Sequence, residues 1–363
     1  MTAHAAPHGA FDVTEKTVAQ LQAAMVSGKT SAQQLVQLYL ARIATIDKTG
    51  PRLNSIIELN PDALATATAL DAERRSKGSR GPLHGIPVLL KDNIATADRM
   101  QTTAGSLALV GVKPPRDAFL VARLRAAGAV ILGKTNLSEW ANMRSTRSTS
   151  GWSARGGLTR NPYALDRNTS GSSSGSGASI AASLAAVAVG TETDGSITSP
   201  ASVASLVGIK PTVGLVSRAG VIPIAQSQDT AGPMARTVAD AAVLLSAMAG
   251  SDARDPASAL ADQKKTDYTR FLDRDGLRGK RIGVVRSQLT ASSDWVAALV
   301  ESQLAVLTAQ GATLVDVPEI PNAEKYADTE LTVLLYELKA GMASYLADYG
   351  PHAPTQSLAD VIA

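Results

Sequence analysis

A chain of 363 residues with 45% apolar side chains is long enough to bury one large core or two modest ones, and 35 basic against 32 acidic residues leave a formal charge of only +3. That balance argues against a nucleic-acid partner: the basic residues are scattered, and their densest stretch, Arg74, Arg75, Lys77 and Arg80, reads as the solvated end of a helix. The absence of cysteine excludes disulfides, thiolate catalysis and cysteine-based zinc sites.

Residues 1–10 lack the basic stretch and apolar core of a secretory signal, so the cytoplasm is the default location, and a secreted or periplasmic one would require a signal already removed. Thr30 or Ser31 is placed to cap a helix carrying Leu35, Leu38, Tyr39 and Ile43 at helical spacing, and a second helix is predicted over 61–76. Gly85-Ile86-Pro87-Val88-Leu89-Leu90 has the pattern of a buried strand and ends on the polar Lys91-Asp92-Asn93. A helix over 119–127, a turn at Gly128 and a strand over 129–132 follow. The longest apolar run, from Ala178 to Val189, lies between Gly177 and Gly190 and falls well short of the roughly 20 residues of a membrane span. It reads as a buried helix rich in Ala and Ser. Strands at 206–209 and 282–285, a helix-strand pair over 293–310 and 312–317, and a final helix capped by Ser357 continue an alternation that predicts an α/β sheet covered by helices, without internal repeats. That last helix stops after little more than one turn, which reads as a truncation inside an element.

Two segments carry chemistry. The block Thr169-Ser170-Gly171-Ser172-Ser173-Ser174-Gly175-Ser176-Gly177 runs straight into the apolar stretch, and its small residues let backbone N–H groups and hydroxyls approach a ligand at a helix N-terminus. Farther on, Gly190-Thr191-Glu192-Thr193-Asp194-Gly195-Ser196 is a turn-rich loop whose successive N–H groups can form an oxyanion hole beside a serine.

Together with the strand ending in Lys91-Asp92-Asn93, the stretch Gly208-Ile209-Lys210-Pro211-Thr212 and Asp229-Thr230-Ala231-Gly232-Pro233-Met234-Ala235-Arg236, these segments form an ordered set that resembles the amidase signature family over roughly residues 11–363. The resemblance implies one amidase signature domain over 1–363, with an N-terminal helical part (11–80), a catalytic core (81–250) and a further α/β part (251–363) incomplete at its C-terminal side. It also implies a central mixed sheet covered on both sides by helices. Ser196 would be the acylated nucleophile, Ser172 a bridging serine after a cis peptide bond at Gly171, and Lys91 the base. The N–H groups of Thr193, Asp194, Gly195 and Ser196 would hold the oxyanion. No metal and no cofactor is implied. A lysine can serve as base near neutrality only when burial and hydroxyl neighbours, rather than anions, lower its pKa.

Asp194 replaces one of the two glycines that most of the family carries before the nucleophile, and Thr198 stands where an arginine is common. These departures, with Trp152-Ser153-Ala154-Arg155-Gly156-Gly157, are most similar to bacterial peptide amidases, which hydrolyse the C-terminal carboxamide of peptides to a carboxylate and ammonia. The substrate class is then a small-molecule or peptide amide. Fatty-acyl or aryl amides, the A chain of a glutamyl-tRNA amidotransferase working with partners, and an inactive fragment are the alternatives. The sequence leaves oligomeric state open.

Rival motifs are present. Gly128 to Thr135 matches the phosphate-loop pattern, but its inner residues Ala-Val-Ile-Leu spell a strand, which makes Lys134 structural; the family resemblance, in which the Lys-Thr-Asn stretch borders the site, implies that Asn136 faces substrate. Gly171-Ser172-Ser173-Ser174-Gly175 satisfies the G-x-S-x-G elbow, with Ser173 as nucleophile and His352 downstream. His84 reads as packing or surface. Glu192 and Asp194 make a poor metal pair with no histidine nearby. Asp229 and Arg236 read as a loop-fastening pair or a helix cap.

Overall fold

The computed structural model describes residues 11–290, 293–319, 321–322, 325–349 and 355–363. The chain divides into two compact units, one running up to Asp267 and resuming over Leu335–Ala363, the other spanning Tyr268–Leu334.

The first unit begins with α1 (Val18–Val26) and α2 (Ala32–Arg42). Ser31 caps α2 by accepting from the Gln34 N–H at 3.2 Å. Asp71 supplies a second cap from the helix that follows β1 (Ile56–Leu59), α3 (Ala63–Lys77), taking the N–H groups of Ala32 and Gln33 at 2.8 and 2.9 Å. Leu35, Val36 and Tyr39 are then buried on one face of α2. The chain continues through β2 (Pro87–Lys91), α4 (Phe119–Ala126), β3 (Val130–Thr135) and a two-rung hairpin of β4 (Trp152–Ser153) and β5 (Gly157–Leu158). Next come α5 (Ser174–Ala181), β6 (Val187–Glu192), α6 (Thr198–Val203), β7 (Val207–Gly208), β8 (Thr230–Ala235), α7 (Val238–Met248) and the short α8 (Ala261–Lys264).

Six strands form the sheet in the order β1-β3-β2-β6-β8-β7. β2 is parallel to both β3 and β6, whereas β1, β8 and β7 join antiparallel, so the sheet is mixed. Every residue of β2, β3, β6 and β8 is buried, as strands covered on both faces require. A central mixed sheet is what the motifs implied.

The structure corrects the helix predicted over 178–189. α5 stops at Ala181, Ser183 takes a φ of 53°, and the chain re-enters the sheet as β6. Arg42 holds the carbonyls of Ala182 and Ser183, and Arg236 those of Ile180 and Ala185, at 2.8–3.3 Å, so two guanidinium groups satisfy the helix end and the turn. An apolar run buried on all sides has no periodicity to separate helix from strand, and Val187 and Val189 were the residues that favoured the strand.

In the second unit β9 (Arg281–Val284) pairs parallel with β10 (Thr313–Asp316), joined through α9 (Arg286–Thr290) and α10 (Asp294–Ala309), matching the predicted helix-strand pair. From Leu335 onward α11 (Tyr326–Ala347) belongs to the first unit, where Leu338, Met342 and Leu346 pack on Leu109, Leu137 and Ile222. The terminal α12 (Leu358–Ile362) is capped by Ser357 with Asp360 in a reciprocal capping box. Among the described residues no helix is long and apolar enough to cross a membrane.

Candidate active site

Lys91 is the last residue of β2, where the strand emerges between its two parallel neighbours. Its side chain is fully buried, and Nζ lies 2.7 Å from Ser172 Oγ, 2.8 Å from Thr191 Oγ1 and 3.2 Å from the Thr191 carbonyl. Burial brings its pKa down from 10.5 to about 7, against the carboxylates of Asp229 and Glu192, which pull it up. No carboxylate contacts the amine directly; its partners are hydroxyls and a carbonyl.

Ser172 follows a cis peptide bond at Gly171 and precedes α5. The Gly/Ser block is small because the backbone packs closely there. A Cβ at Gly175 would strike the backbone of Ser55 and Asn136, one at Gly171 would strike Ser138 Oγ, and one at Gly190 would come within 2.7 Å of Ser173 Oγ. The Ser138 N–H donates to the Ser172 carbonyl at 3.1 Å and fixes the loop from the other side.

Ser196 sits between the end of β6 and the start of α6, next to Gly195 at a φ of 70°. Glu192 is buried and accepts from the N–H groups of Ile197 and Thr198 at 2.7 and 2.8 Å, so the carboxylate caps α6 and clamps the intervening loop. The Ser173 N–H donates to the Ser196 carbonyl at 3.1 Å, tying the two serine loops together. Thr193 Oγ1 donates to Asp229 at 2.5 Å, and the other oxygen of that carboxylate takes the N–H groups of Ile224 and Ala225. Ser172, Ser196, Thr191, Thr193, Asn93 and Asp229 line one small pocket, with Ala141, Ile222 and Ile224 as apolar wall.

The structure thus gathers Lys91, Ser172, Ser196 and Thr193 at one place, with Asp194 exposed and Gly195 half-buried on the same loop. Asn136 does not face substrate. It is fully buried, its amide donates to Gly157 and Thr159 at 2.9 and 3.0 Å, and its oxygen accepts from Leu137 and Ser153. Asp229 and Arg236 each fasten loops but with different partners, Asp229 at the pocket and Arg236 at the end of α5. Lys134 is structural, within strand β3 as its apolar neighbours required. Ser173 is buried and its hydroxyl bridges the N–H and carbonyl of Thr191. His352, its partner in the elbow reading, lies outside the described residues. His84 is packing: fully buried, with Nε2 2.9 Å from the Leu70 carbonyl. Among the described residues no cluster suited to a metal ion occurs.

Sequence reasoning missed Thr191 as a partner of Lys91. Its signal was its place on β6: the strand is parallel to β2, Leu90 pairs with Val189, and Thr191 follows one residue past the position level with Lys91, within reach of a long side chain at the strand end.

A family model described as amidase matches residues 34–363, and the chain belongs to that family, hydrolases of amide C–N bonds. The X-ray structure of native peptide amidase from Stenotrophomonas maltophilia is 56% identical and superposes with a TM-score of 0.92 over 96% of this chain and 71% of that one. A probable amidase of Arabidopsis thaliana is 47% identical over 361 residues, 97% of this chain and 68% of that protein. The A chain of the glutamyl-tRNA(Gln) amidotransferase from Halorhodospira halophila is 43% identical over 333 residues, 91% of this chain and 66% of that protein. The chain spans half the length of two fungal relatives.

Proposed function

We propose that this chain hydrolyses linear amides through an acyl-enzyme on Ser196, and that its substrates are peptides ending in a carboxamide. One observation carries the reading: a fully buried lysine, its pKa lowered to about 7, lies 2.7 Å from the Oγ of Ser172, which lines one pocket together with Ser196. Ser196 Oγ attacks the amide carbon while its proton passes to Ser172, whose own proton passes to Lys91. The N–H groups of the 193–196 loop hold the oxyanion. The C–N bond then breaks as the relay returns a proton to the nitrogen, ammonia leaves, and water, deprotonated by the same relay, cleaves the ester to a carboxylate.

A peptide acyl chain suits what adjoins the pocket. A larger cavity shares Arg218, Val221 and Asp229 with it and is bordered by Arg116, Arg254, Asp255 and Asp348, a polar lining that favours a backbone rich in amides over a fatty chain. The likeness to peptide amidase supports the same substrate. A second reading, the A chain of an amidotransferase that depends on partners, rests on the similarity to the Halorhodospira halophila protein, with Asp194 and Thr198 counting against it.

The test is ammonia release from a short C-terminally amidated peptide by the parent chain and by Ser196→Ala. Release by the parent alone supports the reading. A folded parent that releases none overturns the peptide-amide assignment.

A further inference from the structure

We propose that Thr191 is a positioning residue for the base: it occupies two of the three bonding directions of the Lys91 amine and thereby turns the third, the one that exchanges a proton, toward Ser172. The inference rests on the serine-serine-lysine reading above.

As an ammonium, Nζ has three N–H bonds to give, and it has three acceptors: Ser172 Oγ, Thr191 Oγ1 and the Thr191 carbonyl, at 2.7, 2.8 and 3.2 Å. As a neutral amine it keeps two N–H bonds and one lone pair. The carbonyl can only accept, so one N–H stays there. With the second N–H on Thr191 Oγ1, the lone pair faces Ser172. A free lysine amine rotates about its last C–N bond, and a lone pair averaged over three directions would meet the serine proton a fraction of the time.

Thr191 is well held for this task. It lies on β6 between β2 and β8, paired with Ala231, and the Asn93 amide donates to its hydroxyl at 3.0 Å. Lys91, Ser172, Asn93 and Thr191 are all at most 7% exposed, so water does not compete for the amine. The carboxylates influencing Lys91 are those of Asp229 and Glu192, and neither is touched by a change at Thr191 Oγ1.

The test uses a fluorophosphonate, which phosphonylates an activated serine: the Ser196 O–P bond forms, the P–F bond breaks, and the serine proton goes through Ser172 to Lys91. The labelling rate is followed against pH for the parent, Thr191→Val, Thr191→Ser and Asn93→Ala, with thermal melts to verify folding. Thr191→Val should label about 100-fold more slowly at its plateau. Its acid limb should also move to lower pH by roughly half a unit to one unit, because the ammonium has lost one of three acceptors. Thr191→Ser should restore rate and limb, and Asn93→Ala, which leaves the hydroxyl in place, should slow labelling by only about 10-fold. A Thr191→Val chain that labels like the parent overturns the proposal, as does one slowed with an unmoved limb and no rescue by serine. If Thr191→Val does not fold, a parent-like Asn93→Ala overturns it. A parent that is not labelled at Ser196 overturns the underlying reading as well, and that outcome is visible before any variant is compared.

Discussion

Two fully buried lysines, Lys91 and Lys134, lie near the ends of neighbouring parallel strands, and burial lowers the pKa of each, to about 7 and about 8 respectively. Their surroundings differ. Lys134 Nζ donates to the Ile94 carbonyl at 2.6 Å and Thr102 Oγ1 at 2.8 Å, and the buried Asp92 is the strongest of the carboxylates that favour its charge. Asp92 in turn accepts from Thr103 and Gly105, so this lysine and this acid pin the segment that leaves β2. Lys91 likewise meets a carbonyl and hydroxyls, but one of its hydroxyls, Ser172 Oγ, is on the residue before Ser173, whose N–H is tied to the Ser196 carbonyl. A lowered pKa therefore does not distinguish the proposed base, Lys91, from a strut; the contrast rests on the partner at the end of the amine.

Four outcomes would break or sharpen that contrast. Lys91→Ala and Ser196→Ala should abolish turnover, a loss of roughly 10⁴-fold or more, whereas Lys134→Met should keep kcat within about tenfold of the parent. Equal losses at the two lysines would erase the distinction. Ser172→Ala, which interrupts the relay but leaves both ends, should lower kcat by about 10³-fold. In the parent, kcat/KM should fall on the acid side with a midpoint near the Lys91 value of about 7, since the protonated amine cannot accept. The smallest effect is on stability. The unfolded chain holds a proton on Lys91 up to its ordinary pKa of 10.5 while the folded chain releases it above about 7, so the parent should gain stability relative to Lys91→Met as pH rises through that window and lose it as pH falls toward 7. Melts of both proteins from pH 7 to 10 would show it.

The site was legible where short motifs coincide with strand ends. Lys91 follows a continuous apolar run, and Ser172 and Ser196 stand in loops too rich in glycine and serine to be elements. What stayed hidden depended on partners distant in sequence. The strand β8 was concealed because Thr230-Ala231-Gly232-Pro233-Met234-Ala235 contains Gly and Pro, weak strand formers, and is held as a strand by β6 and β7 on either side. Asn136 is expected to face substrate because the resemblance places the Lys134-Thr135-Asn136 stretch at the border of the site, but the 152–158 hairpin closes over it. Thr191 reads as one more residue of the turn-rich loop until the structure extends β6 through it and brings it to within 2.8 Å of the Lys91 amine.

The crowding around Gly171, Gly175 and Gly190 has a consequence for redesign. Backbone or serine hydroxyls already stand where any side chain at these positions would begin, so the backbone that carries Ser172 and leads to Ser196 tolerates no added side chain there. Ala141, Ile222 and Ile224 form the wall without holding any of the reacting groups. A library that varies those three residues and leaves the glycines alone would change the pocket wall while Lys91, Ser172 and Ser196 stay in place.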